Sequence, residues 1–426
     1  KEAAVTDLST LTAKLDSGEL EQLPGFGKKK VENIKKNLAF AAAASRRVRL
    51  GDAMPLALWF VDQLHQFKLV KQAAYAGSLR RGRETIRDLD LLVAAAPADG
   101  AMVSNSFVKL EPVTEVIAKG PTKTSIRTDQ GIQVDLRIVG PESFGAALMY
   151  FTGSKSHNVA MRERAMTAGM KLNEYGLDQQ DTGQRVAGQT EQQVFAALGL
   201  AWIPPELRED HGEFGLAETH RVPDLIELED IQAELHAHTN ASDGHWPIHE
   251  LAAAAAERGF HTVAVTDHSR GQVQANGLTA ERLEKHITAI RKVATEMKGK
   301  IIVLAGSEVD ILTDGSLDYP NQLLKELDLV VASPHAALSQ DTAKCTARLL
   351  KAIDNPYVTI IGHMTGRLIN RREGMHPDMK RLLQAAADRG IAMEINANYM
   401  RLDLRDTHAR AAIDTGVKLS INTDAH

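Results

Sequence analysis

Short apolar segments alternate with helical segments throughout residues 229–426 of this 426-residue chain. Seven apolar segments are present, with the sequences DIQAELHAH, FHTVAVTDH, IIVLAGSEV, LDLVVASPH, VTIIGHM, IAMEINAN and VKLSINTDAH. Parallel strands need a crossover connection, usually a helix, so this alternation is typical of a parallel sheet. We therefore predict an α/β domain over residues 229–426, built either as a barrel or as a wound parallel sheet.

Side chains that can bind metals occur where these apolar segments end. His236 and His238 are two residues apart on one strand, so both side chains point the same way. The residues that close the other strands are His268, Glu308, His335, His363, Asp424 and His426. Active sites of α/β barrels form at the C-terminal ends of the strands, so a barrel would gather this set in one place.

Imidazoles and carboxylates in one cluster suit zinc, manganese or iron. With Asp243 the set contains nine candidate ligands, which is more than one ion can bind. A lone histidine at a strand end more often caps or hydrogen-bonds than ligates. We place six further histidines in that class: His245, His249, His261, His286, His376 and His408. For the set as a whole, metal binding is the favoured interpretation.

The segment GSLRRGRETIRDLDLL and the later segment IQVDLRIV carry a second group of acidic residues. Asp88 and Asp90 are two apart on a predicted strand, so their carboxylates share a face. Asp135 lies on a later strand that can pair beside them. An isolated Asp-x-Asp is often only a solvated strand edge. Three carboxylates on adjacent strands, however, can hold two magnesium-sized ions for phosphoryl transfer.

Gly77, Ser78 and Arg81 precede these aspartates and offer backbone N–H groups, a hydroxyl and a guanidinium to a triphosphate. The region around them mixes predicted strands at AAYAGS, DLDLLVAAA, SIRTDQ and IQVDLRIV. An amphipathic helix is predicted before it, at 50–69, and helical signals return after it, at 142–170.

The sequence LPGFGKKKVENIKKNL, within residues 1–45, indicates helices around a glycine turn. The segment resembles a helix-hairpin-helix, and the resemblance implies that Gly25 and Gly27 let the backbone approach a DNA phosphate, with N–H groups donating and Lys28 nearby. By itself the segment could equally be an ordinary joint between two helices.

Charge is distributed unevenly along the chain. Residues 1–200 carry 26 basic and 22 acidic residues, and residues 201–426 carry 24 and 33, so the net charges are +4 and −9. A mildly basic front half suits a polyanion and an acidic rear half suits bound cations. The single cysteine, Cys345, excludes an internal disulfide and fits a reducing cytoplasm, and its helical context indicates a core thiol. The chain has no apolar run of membrane-spanning length and no signal-peptide pattern.

Residues 201–228 contain three prolines, much acid and little periodicity, so we predict a linker there. The first residue is Lys1 and the last, His426, belongs to a candidate metal motif. We therefore expect the chain to be incomplete at both ends.

The motifs HAHTNASDG, TDHS, GSEVDI, SPH, GHMTGR and NTDAH closely resemble the polymerase-and-histidinol-phosphatase (PHP) domain over residues 229–426. The resemblance implies a distorted β-α barrel with three ions, zinc or manganese or both, in which a metal-activated water attacks phosphorus. The implied ligands are His236, His238, Asp243, His268, Glu308, His335, His363, Asp424 and His426. It also implies that Asp267 and Glu394 orient ligands, and that Arg367 faces the phosphate.

The arrangement around Asp88, Asp90 and Asp135 resembles the nucleotidyltransferase palm, and YFTGSKSHNVAMRERA narrows the resemblance to family X DNA polymerases. It implies that Mg²⁺ or Mn²⁺ binds the three aspartates. Tyr150, Phe151 and Gly153 would contact the sugar of the incoming nucleotide, although simple packing is an alternative for the two aromatic residues. Asn158 and Arg162 would contact the minor-groove side of the nascent pair and template. LPGFGKKKVENI resembles a helix-hairpin-helix.

We therefore predict a multidomain α/β protein with the architecture of bacterial family X polymerases. The predicted parts are helix-hairpin-helix fingers (1–70), a mixed-sheet palm (71–140), a thumb (141–200), the linker (201–228) and a distorted (βα)7 PHP barrel (229–426). The predicted function is filling of short gaps in DNA repair, in base excision repair or end joining. The partners would be gapped or primer-template DNA and deoxynucleoside triphosphates, with no membrane and a monomeric state. We expect a 3′-5′ exonuclease in the PHP domain, and an abasic-site endonuclease or a small-molecule phosphatase remain alternatives.

Overall fold

The computed structural model describes residues 8–23, 26–28, 30–32, 34, 35, 38 and 47–426. The chain divides into two compact units, Lys1–Pro223 and Asp224–His426. In the described ranges, no helix is both long and apolar enough to cross a membrane.

The first unit begins with a small helical cluster. Helix α1 spans Leu8–Asp16 and a 3-10 turn spans Glu19–Gln22. Leu15, Leu20 and Val31 are buried together in this cluster. The N–H groups of Lys30 and Val31 both donate to the Gly27 carbonyl, at 2.8 and 3.2 Å, so a helical turn begins at the glycine as predicted. The other glycine of the turn, Gly25, lies outside the described residues.

A five-stranded mixed sheet follows, with the strand order β2-β4-β7-β6-β5. Its strands are β2 (Gln72–Tyr75), β4 (Asp88–Ala94), β5 (Val113–Lys119), β6 (Lys123–Thr128) and β7 (Gln133–Val139). β4 and β7 run parallel and the other pairs are antiparallel. Four of the five strands match the predicted ones. The sequence missed β5 because it is an edge strand whose side chains are mostly exposed, so it lacks the apolar alternation of a half-buried strand.

Three helices and a small ribbon complete this part of the unit: α2 (Leu50–His65), α3 (Gly77–Arg80), α4 (Gly100–Phe107), and β1 (Val48–Arg49) paired with β3 (Thr85–Ile86). Helix α2 corresponds to the amphipathic helix predicted at 50–69, and its apolar face is buried. Phe60 and Leu64 from α2 and Phe107 from α4 are fully buried against Leu89 and Val134 of the sheet. This packing fixes the strands that carry the acidic residues.

The next part contains helices α5 (Phe144–Thr152), α6 (Lys155–Thr167), α7 (Glu191–Ala197) and α8 (Glu213–Glu218), and strands β8 (Met170–Asn173), β9 (Gly176–Gln179) and β10 (Arg185–Ala187). Ser154 and Thr190 cap α6 and α7, because each side chain accepts a hydrogen bond from the backbone N–H three residues later. The sequence predicted the helices at 142–170. It missed the three strands, which are only three or four residues long and mostly polar.

Residues 201–222 form part of the first unit, whereas the sequence placed them in a linker. Ile203 and Ala217 are fully buried in the same core as Val194 and Phe195 of α7. The boundary between the units lies after Pro223, near the end of the predicted linker. The sequence did not predict the burial of this segment, because its apolar side chains follow neither a helical nor a strand period. Prolines and acidic residues are interspersed among them.

An ion pair ties this segment into the core. The Arg208 guanidinium, 0% exposed, donates to both Glu191 oxygens at 2.6 and 3.1 Å. Arg80 donates to the same carboxylate at 2.7 and 2.8 Å, and Trp202 Nε1 donates to it at 3.1 Å. No sequence pattern predicted this buried network.

The second unit is a nearly closed barrel of seven parallel strands in sequence order, β11 to β17. The strands are β11 (Ala233–Ala237), β12 (Thr262–Val265), β13 (Ile302–Asp310), β14 (Leu329–Ser333), β15 (Ile360–Ile361), β16 (Ala392–Asn396) and β17 (Leu419–Asn422). The connecting helices are α9 (Ile248–Glu257), α10 (Ala280–Glu296), α11 (Asn321–Leu324), α12 (Thr342–Ile353), α13 (Met379–Arg389) and α14 (Asp406–Thr415). A parallel bridge between Ala237 and Ala425 joins the first strand to the segment after the last one. Of the two predicted alternatives, the barrel is therefore confirmed.

The barrel is held by apolar side chains on both faces of its strands. Leu329, Val331 and Ile360 form a small cluster with Ala264. Val330 and its neighbours on the other face belong to a larger core shared with the helices. Cys345 is buried in this larger core, as predicted.

Replacing Glu191 by alanine would leave the buried Arg208 guanidinium without its carboxylate. We expect the free energy of unfolding of the first unit to fall by about 3–5 kcal/mol, because an uncompensated buried charge is costly. Hydrogen exchange of peptides from α7 in increasing urea measures this value for this unit alone. As a control, Glu115→Ala breaks an exposed pair with Arg127 and should cost less than about 1 kcal/mol.

The same carboxylate should make the unit sensitive to acid. Burial raises the pKa of Glu191, but hydrogen bonds from Arg80 and Arg208 outweigh it and lower the pKa from 4.5 to about 2. Because the folded pKa is the lower one, this stabilisation is complete above the unfolded pKa and is lost as the pH falls toward 2. The stability difference between wild type and Glu191→Gln should therefore shrink below pH 4.5. A difference that stayed constant throughout this range would contradict the assignment.

Candidate active sites

Three carboxylates lie together on β4 and β7 of the first unit. Asp90 is paired in register with Asp135 on the neighbouring parallel strand, and Asp88 is two residues before Asp90. Burial raises the pKa of Asp90 to about 7, with further contributions from the negative charges of Asp88 and Asp135. Carboxylates crowded in this way repel each other. Bound divalent cations would relieve that repulsion, so the donor set fits hard, oxygen-seeking ions.

Asp135 has cationic and polar neighbours of its own. Lys123 Nζ lies 3.1 Å from Asp135 Oδ2, and Gln133 Nε2 donates to Asp135 Oδ1 at 3.2 Å. Burial raises the pKa of Asp135, but hydrogen bonds from Ser125, Lys123 and Gln133 outweigh it and lower the pKa. Asp135 is therefore ionised while Asp90, in the same cluster, holds its proton more tightly.

Gly77 lies directly against Asp90. Its φ is +65°, and a Cβ at this position would overlap the Asp90 Oδ2 oxygen. The Ala76 N–H donates to the Asp90 carbonyl at 2.8 Å, which brings helix α3 beside the carboxylates. Ser78, the next residue of α3, is half-buried at this place. The predicted triphosphate-binding residues and the aspartates are thus brought together.

Arg81 reaches the C-terminal end of α5. Its Nη1 donates to the carbonyl of Thr152, and a Cβ at Gly153 would lie 3.1 Å from this nitrogen. A cation at a helix C-terminus is favourable because the last carbonyls carry partial negative charge. The Arg81 Nε donates to Glu209 Oε1 at 2.8 Å. The sequence did not single out Thr152 or Glu209, since both contacts depend on distant parts of the chain.

The other predicted nucleotide and DNA residues lie on α5 and α6. The Tyr150 and Phe151 rings meet edge to face at 5.2 Å, and Phe151 also packs on the small core beside Leu92. Asn158 Nδ2 donates to the Tyr150 carbonyl at 2.6 Å, so it joins the two helices. Arg162 is exposed. The packing alternative thus describes part of the role of Phe151, and the nucleotide contacts stay predictions.

The glycine turn near the N-terminus is open on one side. A Cβ at Gly27 would have no neighbour within 4 Å among the described residues, and Lys28 is exposed. A close approach of another backbone or phosphate to Gly27 is sterically possible. DNA binding by this turn stays a prediction, and Gly25 lies outside the described residues.

The predicted metal ligands of the second unit converge at one end of the barrel. Three groups have ligand atoms that lie within 4.8 Å of one another. They are His238, Asp243, His268 and His426; His236, His238, Glu308 and Asp424; and His268, Glu308 and His335. The ninth candidate, His363, is outside these groups, but its Nε2 lies 2.8 Å from Glu308 Oε1. All nine side chains therefore belong to one connected cluster.

Glu308 is at the centre of this cluster and is 0% exposed. One oxygen lies 2.7 Å from His268 Nδ1, and the other lies 3.3 Å from His335 Nε2 and 3.4 Å from His236 Nε2. Neither oxygen has a partner with hydrogen-bond geometry in the described part of the chain. Burial raises the pKa of Glu308, but the charges of His335, His268 and His236 lower it well below its usual value.

Buried polar atoms without hydrogen bonds are rare in folded proteins and call for an explanation. In this cluster they include both Glu308 oxygens, His236 Nε2, His268 Nδ1 and both ring nitrogens of His363. Nitrogen and oxygen donors that point at a common space without bonding each other fit bound divalent cations. The residues present therefore fit the implied metals.

Carboxylates orient two of the histidine ligands from behind. Glu394 Oε1 lies 2.6 Å from His236 Nδ1, in agreement with the orienting role predicted for Glu394. Asp310 Oδ1 lies 2.6 Å from His335 Nδ1 in the same manner. Asp310 was missed, although it could have been found: it is two residues after Glu308 on β13, so both side chains point to the same side of the sheet.

Asp267 does not orient a ligand directly, contrary to the prediction. It accepts hydrogen bonds from Thr239 Oγ1 at 2.7 Å and Ser242 Oγ at 2.5 Å, and it lies 2.7 Å from His286 Nε2. It thus shapes the loop that ends at Asp243. The reason is the alternation along a strand: Asp267 precedes His268, so the two side chains point to opposite sides.

Arg401, which the sequence did not single out, lies beside a candidate ligand, and the predicted phosphate contact of Arg367 stays a prediction. Arg401 Nε lies 3.4 Å from Asp424 Oδ2, whereas Arg367 donates to the carbonyl of Leu402. Arg401 lies in the loop after β16, where no strand-end signal marks it. Its charge also lowers the pKa of His363, after the larger effect of burial.

Comparisons with known proteins agree with this division of the chain. Residues 147–209 match the DNA polymerase beta thumb family, and residues 234–398 match the PHP domain family. The DNA polymerase/3′-5′ exonuclease PolX of Bacillus subtilis (strain 168) is 40% identical over 430 aligned residues, which cover 100% of this chain and 74% of that protein.

Two further similarities are partial. A probable phosphatase of Caldanaerobacter subterraneus subsp. tengcongensis is 33% identical over 208 residues, which cover 45% of this chain and 75% of that protein. A crystal structure of a ternary complex of Leishmania infantum polymerase beta is 21% identical, covers 47% of this chain and 88% of that chain, and has a TM-score of 0.35.

The similarity to the Bacillus subtilis protein spans both compact units, and each unit contains the side-chain cluster expected for its part. The chain therefore belongs to the bacterial family X DNA polymerases that carry a C-terminal PHP domain.

Proposed function

We propose that this protein is a DNA-directed DNA polymerase that fills short gaps during DNA repair, and that its second unit is a metal-dependent 3′-5′ exonuclease. One observation carries the proposal: two complete sets of metal-binding side chains, of different chemistry, lie in separate compact units of one chain. The carboxylate set suits nucleotide addition, and the imidazole-rich set suits phosphodiester hydrolysis.

In the polymerase site, Asp88, Asp90 and Asp135 would hold two Mg²⁺ or Mn²⁺ ions. When bound, such ions neutralise charge on the attacking and leaving oxygens of a phosphoryl transfer. The chain's own residues do the rest. Gly77 leaves room beside Asp90, while Ser78 and Arg81 offer donors to the triphosphate.

The contacts to sugar and DNA are assigned to residues on and after α5. Tyr150, Phe151 and Gly153 would abut the sugar of the nucleotide. Asn158 and Arg162 would contact the minor-groove side of the nascent pair. Gly27 and Lys28, with Gly25, would bind the DNA backbone through phosphate rather than base contacts.

In the nuclease site, the nine clustered residues would hold three zinc or manganese ions. When bound, such ions make water a competent nucleophile near neutral pH and stabilise the charge of the leaving oxygen. Glu394 keeps His236 in place by contacting its Nδ1 atom. Asp310 does the same for His335. Arg401 offers a cation next to Asp424, where the scissile phosphate would need one.

Small-molecule phosphatase activity is the second candidate for the second unit. The observation that favours it is the 33% identity between this unit and the probable phosphatase of Caldanaerobacter subterraneus. A cytoplasmic location, which the single cysteine indicates, stays a prediction. The monomeric state also stays a prediction.

Asp90→Asn should abolish nucleotide addition while nuclease activity persists. The substitution keeps the shape of the side chain and removes a negative charge that the metal ions need. We expect primer extension on gapped DNA with Mg²⁺ to fall by at least about a hundredfold. Asp129→Asn, at an exposed turn of the same sheet, is the matched control and should extend primers normally. Parallel loss of both activities in folded Asp90→Asn protein would refute the two-site assignment.

His335→Ala or Asp424→Asn should remove cleavage while primer extension persists. Both side chains belong to the candidate metal cluster of the second unit, and neither belongs to the carboxylate site of the first unit. Chelation should silence cleavage, and Mn²⁺ or Zn²⁺ should restore it better than Mg²⁺. Labelled primer-template, abasic-site DNA and p-nitrophenyl phosphate, tested side by side, separate exonuclease from endonuclease and phosphatase. Preferential release of 3′-terminal nucleotides supports the exonuclease.

Elemental analysis of metal-saturated protein gives the number of ions in the nuclease site, and the His335→Ala variant serves as the reference. Three ions are expected in that site. Fewer than two, or full cleavage by the double variant of His335 and Asp424, would rule out the proposed centre.

Arg401→Gln should weaken binding of the DNA phosphate with little change in metal content. We expect the KM for exonuclease cleavage to rise about tenfold, since a charge-assisted hydrogen bond to phosphate is lost. Arg410→Gln removes an exposed arginine paired with Asp414 and should leave the KM unaltered. If Arg401→Gln instead released metal with no effect on KM, Arg401 would serve only to hold Asp424.

A further inference from the structure

We propose that Glu209 is a positioning residue for nucleotide addition, whose carboxylate holds the Arg81 guanidinium in the orientation that receives the triphosphate. This inference rests on the proposed polymerase function, in which Arg81 binds the triphosphate. It adds a residue from the end of the first unit, which lies 128 positions from Arg81 in the sequence.

Arg81 is held at two points. Its Nε donates to Glu209 Oε1 at 2.8 Å, and its Nη1 donates to the carbonyl of Thr152. The Arg81 and Glu209 side chains are 14% and 21% exposed, so the pair is partly shielded from water. A guanidinium has five N–H donors, so these two contacts leave donors for an anion. The Arg81 side chain is thus held in one orientation, and its other N–H groups can donate to an anion.

The fixed guanidinium faces the predicted nucleotide site. Its Nη1 is so close to Gly153 that a Cβ there would lie 3.1 Å away. Helix α3, which ends at Arg80, also holds Gly77 against Asp90. Arg81 therefore contacts the end of α5 beside Gly153, and it directly follows the helix whose first residue, Gly77, lies against Asp90.

The core of the unit sets the position of Glu209. The preceding residue, Arg208, is completely buried and binds both oxygens of Glu191. The Arg208 Nε donates to the Ile203 carbonyl at 2.8 Å, and the Arg208 carbonyl accepts from the Ser154 N–H at 2.9 Å. With Arg208 anchored inside the core, the backbone presents Glu209 to Arg81.

Glu209, and not Glu191, is the carboxylate that Arg81 contacts. Glu191 is already shared by Arg80 and Arg208. Arg83 also lies near Glu209, with Nη1 at 3.8 Å from Oε1. Glu209 therefore lies beside Arg81 and Arg83 and is separate from the Glu191 network in the core.

Positioning fits these contacts better than blocking. A carboxylate that only occupied the triphosphate site would have to leave when the nucleotide bound, and the anchored backbone at Arg208 opposes such a movement. Pre-ordering a long side chain lowers the entropy that binding must overcome. Removing Glu209 should therefore weaken nucleotide binding by about tenfold.

The test compares Glu209→Ala, Glu209→Gln and the control Glu206→Ala in the full chain. Glu206 is exposed and lies three residues earlier. The dissociation constant of a complementary deoxynucleoside triphosphate is measured on gapped DNA with a dideoxy-terminated primer, so no incorporation occurs. Single-nucleotide insertion gives kcat and KM, and exonuclease activity and the melting midpoint report on the rest of the protein.

We expect Glu209→Ala to raise the nucleotide dissociation constant and KM about tenfold with little change in kcat. Glu209→Gln should lose less, because an amide oxygen still accepts from the Arg81 Nε. Glu206→Ala and the exonuclease assay should be unaffected. If Glu209→Ala does not fold, Glu209→Gln carries the test with a smaller increase in the same constants.

A double-mutant cycle with Arg81→Ala separates the possible failures. In the Arg81→Ala background, Glu209→Ala should have no further effect on nucleotide binding. Tighter or unchanged nucleotide binding by Glu209→Ala, or an equal loss in both backgrounds, would overturn the inference. Unchanged binding by Arg81→Ala alone would instead overturn the triphosphate role of Arg81 in the proposed function.

Discussion

A carboxylate buried away from water must be compensated by cations or by several hydrogen-bond donors, and this constraint shapes both compact units. In the first unit, Glu191 is compensated by Arg80 and Arg208, and this pairing draws residues 201–222 into the core. In the second, imidazole nitrogens lie close to the Glu308 oxygens but form no hydrogen bonds with them in the described part of the chain. The first arrangement is complete within the protein. The second leaves the Glu308 oxygens without hydrogen bonds in the described part of the chain, which fits bound cations.

The difference between these two carboxylates separates structural from functional burial. Glu191 has five hydrogen bonds from three side chains, so it needs no further ligand. Asp90 is intermediate: burial and the negative charges of two neighbouring carboxylates raise its pKa to about 7, although the charges of Arg137 and Lys123 lower it. A buried carboxylate without hydrogen bonds in the described part of the chain, Glu308, and one crowded by other carboxylates, Asp90, therefore mark the two candidate active sites.

The network around Arg80 and Arg81 links stability to nucleotide addition in the first unit. Two consecutive arginines both contact Thr152 at the end of α5, and each has its own carboxylate from the later part of the unit. Glu191, which pairs with Arg80, is buried and belongs to the core. Glu209, which pairs with Arg81, is partly exposed and belongs, in our proposal, to the nucleotide site. Adjacent residues thus divide packing and binding between them.

Periodicity predicted the seven parallel strands but left a barrel and a wound sheet as alternatives; the resemblance to the PHP domain favoured the barrel, in which the nine candidate ligands converge. The reason is geometric: in a parallel barrel every strand ends at the same rim, so position along the chain determines position in space. The same period-two rule would have identified Asp310, which lies two residues after Glu308 on β13. The pairing of β4 with β7, which aligns Asp90 with Asp135, was likewise foreseeable.

Only the tertiary structure could decide the contacts that join distant segments without a repeating pattern. The edge strand β5, the short strands β8 to β10 and the packed segment 201–222 have no clear periodicity, because their burial is set by neighbours far along the chain. Arg401 beside Asp424 and Glu209 beside Arg81 are contacts of the same kind. The sequence alone determined which chemistry each unit contains. The fold decided which charges face each other, because a charge finds its partner in space and not along the chain.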